Sequence, residues 1–176
     1  MNTKVYVGTS LDGFIARTDG DLGWLSQFAN DEAIKAYEEF INSIDAIVIG
    51  RATFEKVLTF SAWPYSKKVF VLSNSIKEAT GAAKEKVIIL SMRPKELLIH
   101  LSAIGIVNIY IDGGVVIQDF LKEDLIDELI IAKAPILIGS GIPLFGYLDI
   151  DLQFRHISTQ VQSNGLVRSY YERLRK

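Results

Sequence analysis

Cysteine is absent from the 176 residues, so the chain forms neither a disulfide nor a thiolate metal site. The same absence excludes the zinc site through which nucleobase deaminases activate water. Histidine occurs only at His100 and His156, too few for an ordinary metal centre. Neither sign of charge dominates: 19 basic and 21 acidic residues leave a net charge of -2. No basic stripe of the kind that tracks nucleic acid is present. No apolar run reaches membrane-spanning length, because Asp127, Glu128 and Lys133 interrupt the most apolar stretch, Ile126–Ile138. The first residues run straight into a strand-like segment, Lys4-Val5-Tyr6-Val7, with no leader pattern. These absences predict a cytoplasmic enzyme that binds a small molecule, with no nucleic acid or membrane as partner. Two nucleotide-binding signatures are also missing. The lone G-x-G, Gly139-Ser140-Gly141, leads into Ile142-Pro143 and not into a helix, and there is no G-x-x-x-x-G-K-[ST] loop.

What is present is an ordinary globular composition, 49% hydrophobic and 23% charged, without repeats or low-complexity tracts. It predicts one domain over residues 1–176. Strand and helix patterns alternate, which predicts an α/β sandwich on a mixed, mainly parallel sheet. Strands are expected at Val5–Thr9, Ala46–Ile49, Val69–Leu72, Val87–Leu90 and Val107–Ile111. Helices are expected at Asp31–Ser43, Ala52–Phe60, Pro94–Ile104 and Val115–Leu121. Asp12–Gly23, rich in glycine and aspartate, reads as a loop. A long β-rich stretch, Glu128–Ile138, is followed by strands at Phe154–Val161 and Leu166–Leu174. These flank Ser163-Asn164-Gly165, and Asn-Gly predicts an antiparallel hairpin.

Two junctions carry the chemistry. In Ile47-Val48-Ile49-Gly50-Arg51-Ala52-Thr53 an apolar strand meets a helix at a glycine. A helix start offers free N–H groups, and Arg51 adds a donor fork suited to phosphate. In Tyr110-Ile111-Asp112-Gly113-Gly114-Val115-Val116 a second strand meets a helix through two glycines, which permit close approach by a pyrophosphate. Each could be a plain strand–helix turn. Together they point to the carboxyl edge of one sheet, where ligands bind.

With Thr9-Ser10-Leu11-Asp12-Gly13-Phe14-Ile15-Ala16, Leu72-Ser73-Asn74, Asp127-Glu128-Leu129 and Pro135-x-Leu137-x-Gly139, these motifs form an ordered set over nearly the whole chain. The set resembles the dihydrofolate-reductase-like superfamily, and within it the reductase domain of the riboflavin-pathway deaminase-reductase. The resemblance implies a three-layer sandwich, NADPH as cofactor and hydride transfer to a C=N or C=O bond of a small heterocycle. Gly50, Arg51 and Thr53 would hold the adenosine 2′-phosphate side, and Leu72, Ser73 and Asn74 the adenine ribose. Gly113, Gly114, Val115 and Val116 would cradle the pyrophosphate. Val7, Thr9, Gly13, Phe14 and Ile15 would line the nicotinamide beneath an Asp12–Gly23 lid. The resemblance further implies an unusual, cis peptide between Gly113 and Gly114. The C-terminal hairpin carries apolar and aromatic residues on alternating positions, including Val167, Tyr170 and Tyr171, at an expected exposed sheet edge. This predicts a two-fold homodimer that buries it, as the resemblance also implies. Asp112 and Asp12 are the candidates for substrate contact or proton handling.

The acid that dihydrofolate reductase carries on its first helix aligns with Ile34, which argues against folate reduction. Glu32, Glu38 and Glu39 read as a solvated helix face. Trp24 reads equally as a substrate contact or a core anchor, Trp63-Pro64-Tyr65 as loop packing, and both histidines as structural. Three functions compete: a riboflavin-type reductase of a ribosylaminopyrimidine, a dihydrofolate or pterin reductase, and a non-catalytic nucleotide-binding protein.

Overall fold

The computed structural model describes residues Met1–Arg175, Ala82 by its backbone alone. The N-terminal part runs β1 (Asn2–Thr9), β2 (Phe14–Ala16), α1 (Gly23–Ser26), α2 (Asp31–Asn42), β3 (Ala46–Gly50) and α3 (Arg51–Val57). The middle adds β4 (Lys68–Leu72), β5 (Val87–Leu90), α4 (Pro94–Ala103), β6 (Asn108–Asp112) and α5 (Gly114–Lys122). The chain closes with β7 (Glu128–Lys133), β8 (Ile142–Pro143), β9 (Phe154–Val161) and β10 (Val167–Arg173).

The apolar runs of β3, β4 and β6 are unbroken because both faces of their sheet are covered. Ala46 and Val48 point into one core with Leu97 and Leu101 of α4 and Ile117 and Phe120 of α5. The alternate residues Ile47 and Ile49 point into the other, with Phe40 and Ile41 of α2 and Phe54 of α3. A period of two on the strands therefore divides the helices into two outer layers. Burying each large side chain contributes about 1.5–3 kcal/mol before entropy is counted. The sheet has eight strands in the order β5-β4-β3-β6-β1-β7-β10-β9. Pairings are parallel up to β7, whereas β10 and β9 return antiparallel.

Three expectations change. The strand expected over Glu128–Ile138 stops at Lys133, because Pro135 has no N–H to offer a central strand. The Asp12–Gly23 loop is partly ordered: β2 pairs antiparallel with β8. The third concerns Glu32, which is not merely solvated. Its carboxylate accepts from the Ser163 backbone N–H (3.0 Å) and hydroxyl (3.1 Å). Asn164 of the same turn donates to the Phe28 carbonyl. The β9–β10 turn is thereby fastened to the α1–α2 corner. No helix among the described residues is long and apolar enough to cross a membrane.

Candidate functional site

Ile49 and Asp112 are register partners on adjacent parallel strands, so the glycines that follow them lie side by side. From these neighbouring strand ends the chain departs in opposite directions, α3 to one face and α5 to the other. Such a reversal opens a crevice at the carboxyl edge of a sheet. The junctions also touch. A side chain at Gly113 would collide with the Thr53 hydroxyl, and one at Gly50 would come within 2.8 Å of Val116 Cγ2. Glycine at position 113 is required twice over, since its φ of +95° is a region that L side chains rarely adopt. The cis peptide expected between Gly113 and Gly114 is not found; every described peptide bond is trans. The positive φ at Gly113 makes the turn instead.

The crevice is a cavity of about 1460 Å³. Single small ligands occupy roughly 300–1,000 Å³, so there is room for a dinucleotide with a second molecule beside it. Gly50, Arg51, Thr53, Leu72, Ser73, Asn74, Gly113, Gly114, Val115 and Val116 all line it, as do Val7 and Ile15. Four other expected residues lie elsewhere. Thr9, Asp12 and Gly13 border a separate depression, and Phe14 lines neither. Their displacement has a local cause: Asp12 accepts the backbone N–H groups of Gly139 (2.8 Å) and Ile138 (3.3 Å), which clamps this segment to the β7–β8 connection. The Ser10 hydroxyl and those amides hold its carboxyl below the usual range. Asp12 therefore pins a loop and does not face the cavity. Trp24 is buried with Ala134 and Leu166, the core anchor of the two readings.

Asp112 sits half-buried at the cavity floor. The Tyr65 hydroxyl donates to its Oδ2 at 2.8 Å. Burial pushes the Asp112 carboxyl up, against the opposing pull of hydrogen bonds from Tyr65, the Gly113 N–H and Tyr110. Burial and the nearby carboxylate push the phenols of Tyr37 and Tyr65 up as well, so both remain neutral donors. Tyr65, read from sequence as loop packing, is thus a site residue. Its Trp-Pro-Tyr context gave no signal, because its partner is distant in the chain. Gln162 is the other omission: it lines the cavity, is 4% exposed, and its Oε1 has no partner.

Residues 4–168 match the model of the RibD C-terminal domain. The chain belongs to that family. Among solved structures, the "putative riboflavin biosynthesis protein" from Shewanella sp. PV-4 superposes with a TM-score of 0.94 at 42% identity, covering 99% of this chain and 100% of that one. Two more distant structures show the shared fold. One is the diaminohydroxyphosphoribosylaminopyrimidine deaminase/5-amino-6-(5-phosphoribosylamino)uracil reductase of Thermotoga maritima, at TM-score 0.74 and 18% identity over 98% of this chain and 56% of that one. The other is dihydrofolate reductase from Enterococcus faecalis, at 0.66 and 17% over 98% and 96%. The fold is therefore the dihydrofolate-reductase-like sandwich expected from sequence.

One detail of that expectation shifts within this RibD C-terminal domain. Ile34 points to solvent at 50% exposure. The α2 residues that line the cavity are Ala33 and Tyr37, one helical turn apart. No carboxylate of α2 reaches the cavity among the described residues.

Proposed function

We propose that this RibD C-terminal domain is an NADPH-dependent reductase of a small heterocyclic substrate, of the riboflavin-pathway type. The observation that carries the reading is the adjacency of Gly50-Arg51-x-Thr53 and Gly113-Gly114 at the rim of a cavity with the half-buried Asp112 at its floor. The residues suit the cofactor's two chemistries. Arg51, Thr53 and Asn74 form a polar rim, and Arg51 is free to turn to a phosphate because its exposed pair with Glu55, at 3.1 Å, is worth little. The N–H groups of Gly114 and Val115 open α5 facing the same cavity. Val7 and Ile15 provide an apolar wall for a ring.

When bound, NADPH supplies the hydride. The chain must then orient the acceptor bond and deliver a proton to its heteroatom. Asp112 suits the second task, since burial keeps its carboxyl protonated to higher pH than usual. Tyr65 holds that carboxyl in place through the 2.8 Å hydrogen bond. An apolar Ala33 at the pocket face of α2 disfavours the dihydrofolate alternative. Cofactor oxidation should be followed with ribosylaminopyrimidines, dihydrofolate and pterins. The reading expects turnover of a ribosylaminopyrimidine-type compound and little or none of dihydrofolate. Efficient dihydrofolate reduction, or failure to bind NADPH, would defeat it.

A further inference from the structure

The far end of the cavity is built by the α1–α2 corner and the β9–β10 turn fastened to it. Leu25, Phe28, Ala29, Ala33 and Leu166 supply its apolar surface. Ser26 and Gln162 are polar, but the Ser26 hydroxyl already donates to the Gly23 carbonyl at 2.7 Å. The backbone of Gln162 is already used within the turn: its N–H donates to the Leu166 carbonyl at 2.8 Å and its carbonyl accepts from Gly165 at 2.9 Å. The side-chain Oε1 is left buried without a partner. An unpaired buried amide oxygen is costly, and a ligand N–H or O–H placed there removes the penalty.

The charges at this end are equally informative. Among the described lining residues the only cations are Arg51 and Lys56, both on α3. The start of α2 does not substitute for them as an anion site. Asp31 and Glu32 occupy its first turn, and the Asn30 side chain takes the Ala33 N–H at 2.8 Å. A phosphate brought here would lose hydration without gaining a charged partner among the described lining residues.

We infer that the substrate end accepts an uncharged, planar heterocycle without a phosphate, gripped by a ligand donor on the Gln162 carboxamide. This rests on the reductase reading above and narrows its substrate class to the unphosphorylated form. A purine- or pyrimidine-like ring suits these apolar walls, and its ring or exocyclic N–H serves Gln162.

The test is calorimetric titration of the full chain, with and without saturating NADPH, using 5-amino-6-ribosylaminouracil and its 5′-phosphate ester as a matched pair. The unphosphorylated compound should bind at least about tenfold tighter, as expected when one member must bury an unpaired charge. Gln162→Leu should weaken it by about tenfold while leaving NADPH binding unchanged. Ala33→Arg, which adds the missing cation, should narrow the preference. Lys56→Ala should leave it as it was. Equal or tighter binding of the phosphate ester overturns the inference, and so does absence of binding by both compounds. Binding of the unphosphorylated compound without any NADPH binding would defeat the reductase reading and leave this one standing.

Discussion

The hydroxyl of Tyr65 lies 2.8 Å from Oδ2 of Asp112, joining the loop before β4 to the end of β6 at the floor of the cavity. The donor lowers the Asp112 carboxyl while burial raises it, and burial wins. If this carboxyl gives the proton, Asp112→Asn should reduce turnover by roughly 10²–10⁴-fold with NADPH affinity nearly intact. Tyr65→Phe removes an interaction that favours the ionised form. Its effect on turnover should be smaller, and the alkaline limb of the pH–rate profile should move to higher pH. Steady-state kinetics across pH, beside cofactor titrations, separate the two roles. Unchanged turnover in Asp112→Asn would leave Asp112 as a cap for α5 alone.

The same burial makes a statement about stability. A carboxyl raised in the folded state contributes most below its ordinary value of 3.8 and loses that contribution as pH climbs through its folded value. Asp12 and Asp45 work in the other direction, since backbone amides hold them low and their contribution fades as pH falls. Subtracting the unfolding free energy of Asp112→Asn from that of wild type cancels this background. That difference should decline as pH climbs above the ordinary carboxyl value of 3.8, with wild type becoming relatively less stable. Denaturant titrations at a series of pH values measure it, and a rising difference would contradict the burial argument.

Arg51 and Glu55 bear on cofactor choice. They form an exposed i,i+4 pair at 3.1 Å, and both line the cavity. A 2′-phosphate would compete with Glu55 for the guanidinium and be repelled by the carboxylate. Arg51→Ala should therefore cost about tenfold or more in NADPH affinity, the worth of a charge-assisted hydrogen bond. Glu55→Gln should strengthen NADPH binding by a few-fold and leave NADH unchanged. Equal binding of NADH and NADPH by wild type would remove the phosphate from this position.

The legible and illegible parts of the site differ in range along the chain. The two glycine junctions could be read because each combines an apolar strand, a glycine and a helix start within a few residues. The alternation in β3 was hidden, since a strand buried on both faces is apolar throughout, yet its length and bounding glycine revealed it. By contrast, the Tyr65–Asp112 and Gln162 features depend on contacts between distant segments, which no local pattern encodes. The short strands β2 and β8, three and two residues long, are too brief for any periodicity. Thr9, Gly13 and Phe14 were carried over from the family motif, but the Asp12 clamp sets them outside the main cavity.

The last prediction concerns assembly. The eight-stranded sheet ends at β9, whose residues after Phe154 are all exposed. Tyr170 and Tyr171, expected at this edge from sequence, are instead half-buried on β10, with Tyr171 packed against the core. The apolar surface belongs to Ile157, 40% exposed, and Val161, 75% exposed, joined by Val167 and Phe145 around the second depression. An uncovered edge with apolar side chains is an invitation to pair with another strand, and folded proteins normally cover it. A second copy offers the simplest cover, because a two-fold axis lets one patch serve both sides. Light scattering at micromolar concentration should report a dimer, burying about 1,200–2,000 Å² in total if it is of standard size. Ile157→Lys with Val161→Glu should shift it to monomer with an unchanged far-ultraviolet circular dichroism spectrum. A monomeric wild-type protein would overturn the assignment, and a dimer indifferent to both substitutions would place the interface elsewhere.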